Sequence, residues 1–356
     1  MFAKNGWYCA AFSHEISKEP IARRILGLPV LMARDSHGVV RAISDRCPHR
    51  FAPLHQGKRV GDAIQCPYHG LRFDLQSGAC VFNPHGDGEI AKGAGVPAYP
   101  TVETGPVVWL WPGNPERADP SEIPDLELFD TGDVEFLGGH LKMPVNYQLV
   151  LDNLLDLSHA QYIHAGTLSV DPKDGGKREI KNQVGDRSIK VSAKLPNVKT
   201  PSSQALFYDD ERGDFHSHIE WIFPGTLRHN LSMTKVDGDF ESGARTTNAH
   251  LITPETETST HYFWTQTRNK KGKMDNKEIN EATKKIITNA FLNEDEPMIA
   301  ACQEYMEQAE FFSLKPLFLK TDLAGTRCRR IIQRFIKEEA AESESSNKGS
   351  RNPVNA

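Results

Sequence analysis

The sequence predicts an α+β chain of two units: an all-β N-terminal unit, then an antiparallel sheet accompanied by helices. Three observations carry this. Short apolar runs separated by turn residues fill residues 1–115. Alternating runs recur from about 189 to 268. Helical spacing is confined to stretches near 146–167, 275–310 and 322–339.

A chain of 356 residues, 38% apolar and 25% charged with a mean hydropathy of −0.50, has material for two globular cores. The expected organisation is a first domain over 1–115, a linker over 116–130, a second domain over 131–339 and a disordered tail over 340–356. The net charge of −5, with 42 basic residues dispersed along the chain, argues against a nucleic-acid footprint. No apolar run approaches the length that crosses a bilayer. The N-terminal MFAKNGWYCAAF is interrupted by Asn5 and Gly6 and is too weak for a signal peptide, so a cytoplasmic location is expected. Cys9, Cys80, Cys302 and Cys328 are scattered and are expected to be reduced thiols.

Within the first unit, Pro29–Arg34 and Val39–Ile43 flank the turn Asp35-Ser36-His37-Gly38, a hairpin signature. Leu75-Gln76-Ser77-Gly78 makes a second turn, and Val107–Trp111 is a strand closed by Pro112-Gly113. Residues 112–125, PGNPERADPSEIPD, hold four prolines and read as connecting chain.

Two loops of this unit carry chemistry. Cys47-Pro48-His49 and Cys66-Pro67-Tyr68-His69 each offer one thiolate and one imidazole, separated by residues 50–65. Two Cys and two His are the ligand set of a Rieske [2Fe–2S] centre, in which His replaces Cys on one iron. Neutral imidazoles remove negative charge from the cluster and raise its potential above that of an all-Cys ferredoxin. A zinc knuckle is the competing reading. Its usual spacing, C-x(2–4)-C then H-x(3–5)-H, is absent here.

In the second unit, NYQLVLDNLLDLSHAQYIHAGT over 146–167 reads as a helix, with Leu151, Leu154, Leu155 and Tyr162 at helical spacing. Strands are expected at Ile189–Ala193, His218–Phe223, Thr247–Ile252 and His261–Trp264. A helix should start near Asp275 or Asn276 as its cap, and another should run from Asp322 to Glu339. The polar tail AAESESSNKGSRNPVNA has little to bury.

The first helical run contains Asp152, Asn153, Asp156, His159 and His164. Two His and one carboxylate with open positions form the facial triad of non-haem Fe(II) oxygenases. On a regular helix His159 and His164 diverge by about 140°, so they share a metal only where the helix ends or distorts. The bland alternative is an ordinary half-buried helix. A third ligand is offered by FLNEDEPMIAACQEYM. On a wheel of about 100° per residue with Phe291 at zero, Met298, Ile299 and Cys302 form an apolar stripe that includes Asp295. Glu294 lies at its edge and Glu296 faces away. Asp295 is therefore the expected ligand, since a buried carboxylate needs a partner.

With CPHR…CPYHG, NLLDLSHAQYIH and NEDEP together, the chain resembles the oxygenase components of Rieske non-haem iron aromatic-ring oxygenases, the vanillate and dicamba O-demethylase branch above all. The resemblance implies a Rieske domain followed by a helix-grip catalytic domain. It assigns Cys47, His49, Cys66 and His69 to the cluster, and His159, His164 and Asp295 to a mononuclear iron. It places Asn153 beside that iron. It implies a homotrimer in which Asp156 hydrogen-bonds both an iron-ligating His and His69 of a neighbouring subunit. Residues matching Asn230 and His250 contact the carboxylate of an aromatic acid in the resembling enzymes, and Arg228 and His229 compete with Asn230 for that role. The dicamba branch carries a Trp nine residues before the iron-binding Asp, where this chain has Ile286.

The chain has no GxGxxG fingerprint, so electrons from NAD(P)H are expected through a separate flavin and iron–sulfur reductase or a ferredoxin. The implied reaction is O2-dependent hydroxylation of a methoxy carbon on a small aromatic acid, with collapse to a phenol and formaldehyde. The rival readings are a ring-dihydroxylating dioxygenase and, in a different class, a Rieske electron carrier.

Overall fold

The computed structural model describes the chain except residues 131–135, 165–167, 169, 171–178, 270, 272, 274, 275 and 350–356, and except the side chains of 179 and 345–349. It divides into two compact units. The first is Met1–Ile123 with Thr253–Glu257 and Glu339–Ala356; the second is Pro124–Ile252 with Thr258–Glu338.

The first unit is antiparallel β throughout. β1 (Tyr8–Phe12), β10 (Thr101–Thr104) and β11 (Val107–Leu110) form one sheet, in the order β1-β11-β10. β2 (Ile21–Ile25), β3 (Leu28–Arg34), β4 (Val40–Ser44) and β9 (Ala98–Tyr99) form a second. β5 (Lys58–Val60), β6 (Ala63–Gln65), β7 (Arg72–Asp74) and β8 (Cys80–Phe82) form a third. The β3–β4 hairpin lies where Asp35-Ser36-His37-Gly38 places it. Asp35 Oδ1 accepts from the backbone N of His37 (2.9 Å) and Val39 (3.0 Å), and Gly38 takes a φ of +80°.

β3 is buried on both faces, which is why its run Val30-Leu31-Met32-Ala33 is continuously apolar rather than alternating. Val30 and Met32 pack with Tyr8, Val108 and Leu110. Leu31 and Ala33 pack on the other side with Leu54, Ile64, Phe73 and the two motif cysteines, Cys47 and Cys66. The cysteines are thus part of a hydrophobic core, and their loops start from a rigid base.

The second unit holds a seven-stranded antiparallel sheet: β12 (Gly138–Met143), β13 (Glu179–Val184), β14 (Ser188–Lys199), β15 (Arg212–Ile222), β16 (Thr226–Thr234), β17 (Ala244–Thr256) and β18 (Ser259–Arg268). β13 to β18 follow one another as a meander, and β12 adds beyond β18. The four expected strands fall on β14, β15, β17 and β18, with Phe223 one residue beyond the end of β15. β12, β13 and β16 were not foreseen, because none presents a clean apolar alternation: GGHLKM, EIKNQV and TLRHNLSMT are polar or glycine-rich.

The expected helix over 146–167 is broken. α1 (Tyr147–Leu155) is capped by Asn146, whose side chain accepts from Gln148 N, and it ends at Asp156. α2 (Ala160–Ile163) is a single turn. Tyr162, expected on the apolar face, is 82% exposed. α3 (Lys277–Asn289) starts from Asn276, whose side chain accepts from Ile279 N. It continues as a π turn, Ala290–Asp295, and then α4 (Glu296–Tyr305). α5 (Leu323–Gly349) runs past the expected end at Glu339; the last part of the expected tail, 350–356, lies outside the described residues. Arg329 of α5 is tied to α1 by Nε to Asp152 Oδ2 (2.8 Å) and Nη1 to Gln148 Oε1 (2.8 Å). Among the described residues no helix is long and apolar enough to cross a membrane.

Candidate metal centres

The two cysteine loops share one backbone pattern. Cys47 N donates to Ala52 O (2.9 Å) and Phe51 N to Cys47 O (2.9 Å); Cys66 N donates to Leu71 O (2.8 Å) and Gly70 N to Cys66 O (3.1 Å). Phe51 and Gly70 occupy equivalent positions, and both are left-handed, at φ +60° and +75°. Glycine adopts this freely; a phenylalanine does so at a cost. Cys47 and Cys66 are each 1% exposed, and burial pushes the Cys47 thiol up while the His49 backbone N–H offsets part of that and the Cys66 thiol adds to it. His49 and His69 stand with ring centroids 4.4 Å apart. Two buried sulfurs beneath two more accessible imidazoles match a cluster with one inner and one outer iron. The loops are braced from behind: His85 Nε2 donates to His69 O (2.8 Å), and Asp45 Oδ2 lies 2.5 Å from His55 Nδ1.

His159, His164 and Asp295 bring one ligand atom each within 4.8 Å of one another. His159 immediately precedes the single-turn α2 and His164 immediately follows it, so the two rings meet at a centroid distance of 5.3 Å. Both imidazoles are held through Nδ1. The Asp156 backbone carbonyl accepts from His159 Nδ1, and Glu294 Oε2 lies 2.6 Å from His164 Nδ1. Both Nε2 atoms therefore face Asp295, at 3.5 Å from Oδ1 (His159) and 3.2 Å from Oδ2 (His164). Asn153 Nδ2 donates to Asp295 Oδ1 at 2.9 Å. Burial pushes the His164 imidazole down, but Asp295 and then Glu294 outweigh it, and its pKa is raised above the ordinary value.

This donor set fits a divalent iron. Asp295 is 1% exposed and its Oδ2, despite the nearby ring, makes no hydrogen bond. A carboxylate oxygen so placed is costly unless a cation takes it. Two imidazole nitrogens and one carboxylate on one side leave the remaining positions open.

The π turn explains how Asp295 reaches the site and why the helical wheel fails beyond it. A π turn holds more residues than an α turn, so everything after Asp295 is rotated back relative to an unbroken helix. Ile299 comes onto the buried face (6% exposed), while Met298 (54%) and Cys302, both expected in the stripe, are exposed. Glu294 moves from the edge of the wheel into contact with His164.

The triad lines a cavity of about 430 Å³ together with mostly apolar side chains such as Leu154, Leu195, Phe215, Ile219, Ile287 and Phe291. His250 lines it, with Nδ1 2.7 Å from the Tyr262 hydroxyl; burial lowers its pKa to about 4. Asn230 does not line it. Successive residues of β16 face opposite sides, so His229 and Leu231 face the cavity while Asn230 stands on the other face and donates through Nδ2 to Glu127 Oε2 at 3.3 Å. The polar position on that strand is His229, 2.9 Å from Ser217 Oγ through Nε2, with a pKa lowered to about 3 mainly by burial. Asp156 meets His159 through its backbone carbonyl, while its carboxylate Oδ1 accepts from Ser158 N (2.9 Å).

Comparison with known proteins agrees with both centres. Residues 6–100 match the Rieske [2Fe–2S] domain model and 143–338 the vanillate O-demethylase oxygenase C-terminal domain model. The chain belongs to the Rieske non-haem iron oxygenases of the vanillate O-demethylase family. This oxygenase is 39% identical to the chloroacetanilide N-alkylformylase oxygenase component of Rhizorhabdus wittichii, over 95% of this chain and 97% of that one. It is 36% identical to the dicamba O-demethylase oxygenase component of Stenotrophomonas maltophilia, over 96% and 99%. A crystal structure of dicamba monooxygenase bound to dicamba superposes with a TM-score of 0.87 at 35% identity, covering 96% of this chain and 99% of that one. A further dicamba monooxygenase structure holds non-haem iron. The Rieske oxygenase thus has an N-terminal cluster domain and a C-terminal catalytic domain with a mononuclear iron site.

Sequence reasoning about the oxygenase gave Glu294 no role and left His229 as a competitor of Asn230. Glu294 was legible as one of three adjacent carboxylates, but only the π turn brings it to His164. His229 was one residue from the position chosen, and strand parity decides between them.

Proposed function

We propose that this oxygenase component receives electrons from NAD(P)H through a separate flavin and iron–sulfur reductase or a ferredoxin, and uses O2 to hydroxylate the alkyl carbon of a small O- or N-alkylated aromatic, which then leaves as an aldehyde. The observation that carries this is the mostly apolar cavity that His159, His164 and Asp295 line. When bound, the cluster supplies single electrons and the iron a place where O2 meets the substrate. The relatives' names, an O-demethylase and an N-alkylformylase, support an alkyl group on oxygen or nitrogen as the reacting group. A methoxylated aromatic acid is the class read from the sequence.

The chain's own residues bind, orient and exclude water. Glu294 and the Asp156 carbonyl fix both imidazoles with Nδ1 as donor, so that Nε2 is the free ligand atom. Asn153 holds Asp295 by one oxygen and leaves the other for the metal. The apolar walls keep water from the reacting carbon. His229 and His250, neutral near pH 7, offer hydrogen bonds to a polar substituent without a charge.

A homotrimer, in which Asp156 joins His159, met by its backbone carbonyl, to His69 of a neighbouring subunit, met by its carboxylate, is part of the same proposal. The test is a panel of methoxylated, N-alkylated and sulfonated aromatics with a surrogate reductase, scored for O2 uptake and released aldehyde. Stoichiometric aldehyde from an alkylated substrate supports the reading. A cis-diol product without aldehyde would replace it with ring dihydroxylation.

A further inference from the structure

Two side chains on the cavity wall have unmet hydrogen bonds. Gln204 is 6% exposed and Thr283 5%, and both line the cavity. Neither Gln204 Oε1 nor Thr283 Oγ1 has a hydrogen-bond partner. Elsewhere on the wall Asp295 Oδ2 belongs to the metal site and the half-buried Thr321 also has an unpartnered Oγ1, while Gln266 and Asn248 are engaged. Arg268 Nη1 donates to Gln266 Oε1 (3.3 Å), Gln266 Nε2 to Asn248 Oδ1 (2.6 Å), and Asn248 Nδ2 to His229 O (3.0 Å). Buried oxygens without partners are rare in folded proteins, and two on one cavity wall mark a place where a ligand completes the bonding.

Both residues border the surroundings of Arg268. Gln204 opens a turn that includes Phe207, whose ring lies 5.9 Å from the Arg268 guanidinium, and Arg268 also donates to Asn280, one helical turn before Thr283. From Thr283 the wall continues through Ile286, Ile287 and Phe291 to the iron ligand Asp295. That is roughly 18 Å along the axis at the α-helical rise, less the reach of the side chains at each end. Thr283 is thus remote from Asp295, and Gln204 adjoins the same Arg268 neighbourhood.

We infer that Gln204 and Thr283 form a distal polar subsite for an uncharged donor–acceptor group, of the amide kind, at the end of the substrate away from the alkyl carbon. An amide N–H would donate to Gln204 Oε1 while its carbonyl accepts from the Thr283 hydroxyl. An ester meets only the second requirement. A carboxylate has no proton for Gln204. The inference rests on the reading of this cavity as the substrate site.

The test uses the full-length holoenzyme under anaerobic conditions and a matched pair of probes: the amide of para-methoxyphenylpropanoic acid, and the hydrocarbon in which an isopropyl group replaces the amide. Calorimetric Kd values are expected to favour the amide about tenfold in the wild type. Thr283→Val and Gln204→Leu should each bring the pair close to parity, and Thr283→Ser should keep the preference. Each apolar substitution removes an unmet buried group, so neither should lower the melting temperature; a lost preference then reads as a lost hydrogen bond. Equal binding of the two probes by the wild type, or an undiminished preference in both apolar variants, would overturn the subsite and leave the cavity reading intact. Binding of neither probe would overturn the cavity reading and the subsite with it.

Discussion

Glu294 Oε2 lies 2.6 Å from Nδ1 of His164, and the adjacent Asp295 places Oδ2 3.2 Å from Nε2 of the same ring. Two consecutive residues thus address both nitrogens of one imidazole, which an unbroken α-helix would not arrange. His159 is held instead by a neutral backbone carbonyl. One candidate ligand is therefore backed by a carboxylate and the other by a backbone carbonyl.

Glu294→Ala should weaken iron retention by about ten- to a hundredfold, the usual loss when the partner of a ligating histidine is removed. Glu294→Gln, which keeps an acceptor without the charge, should fall between the two. Fe(II) titration of the metal-free mononuclear site checks this, with the visible spectrum of the cluster as the control that should not change.

His229 and His250 have pKa values lowered to about 3 and about 4. Folding therefore favours their neutral forms, and that contribution is fully present above the unfolded value of about 6.5. Below it the unfolded chain binds more protons than the folded one, so stability falls as pH falls towards the folded values. Each group contributes a slope of about 1.4 kcal/mol per pH unit in that window. Denaturant titrations between pH 7 and 5 should show this loss, and His250→Phe should make it shallower.

Arg329 is 5% exposed and paired with Asp152 on α1, beside the residue that holds Asp295. Arg329→Met leaves a largely buried carboxylate uncompensated and should cost about 3 kcal/mol. Asp152→Asn in the same background should recover part of it. Thermal melts of the two variants test the pair.

Phe51 holds a left-handed conformation while 69% exposed, at the position where the second loop has Gly70. Phe51→Gly should be neutral to stabilising, by up to about 1 kcal/mol, because relief of the backbone roughly outweighs the entropy that glycine adds to the unfolded chain. Gly70→Ala should destabilise, since its new Cβ would also meet Pro84 Cγ at 3.1 Å. Melting temperatures with an intact cluster spectrum check both.

What was legible in the sequence was what is local. Cys47, His49, Cys66 and His69 announce themselves by residue type and spacing, and the turn before Val39 by its Asp and Gly. His159 and His164 were legible as ligand types, with the condition that their helix be interrupted, and the end of α1 at Asp156 meets it. Asp295 comes from a wheel that assumes uniform pitch, although the π turn Ala290–Asp295 departs from that pitch up to and including this residue. Beyond it the π turn shifts the register, which misplaced Met298 and Cys302 and concealed Glu294. The sequence leaves Asn230 and His229 in competition because a strand's facing depends on pairing register, and register is set by neighbours far away in the chain. β12 and β13 pair at the two edges of the sheet and carry little apolar patterning of their own.

Iron counting on paired samples tests most directly whether one chain houses both an electron-relay cluster and a separate oxygen-handling iron. The wild type should hold about three iron atoms per chain, and the His159→Ala/His164→Ala variant about two, with its cluster spectrum unchanged and substrate-dependent O2 uptake lost. A variant that keeps its full iron content, or that still consumes O2 with substrate at the wild-type rate, would contradict the account.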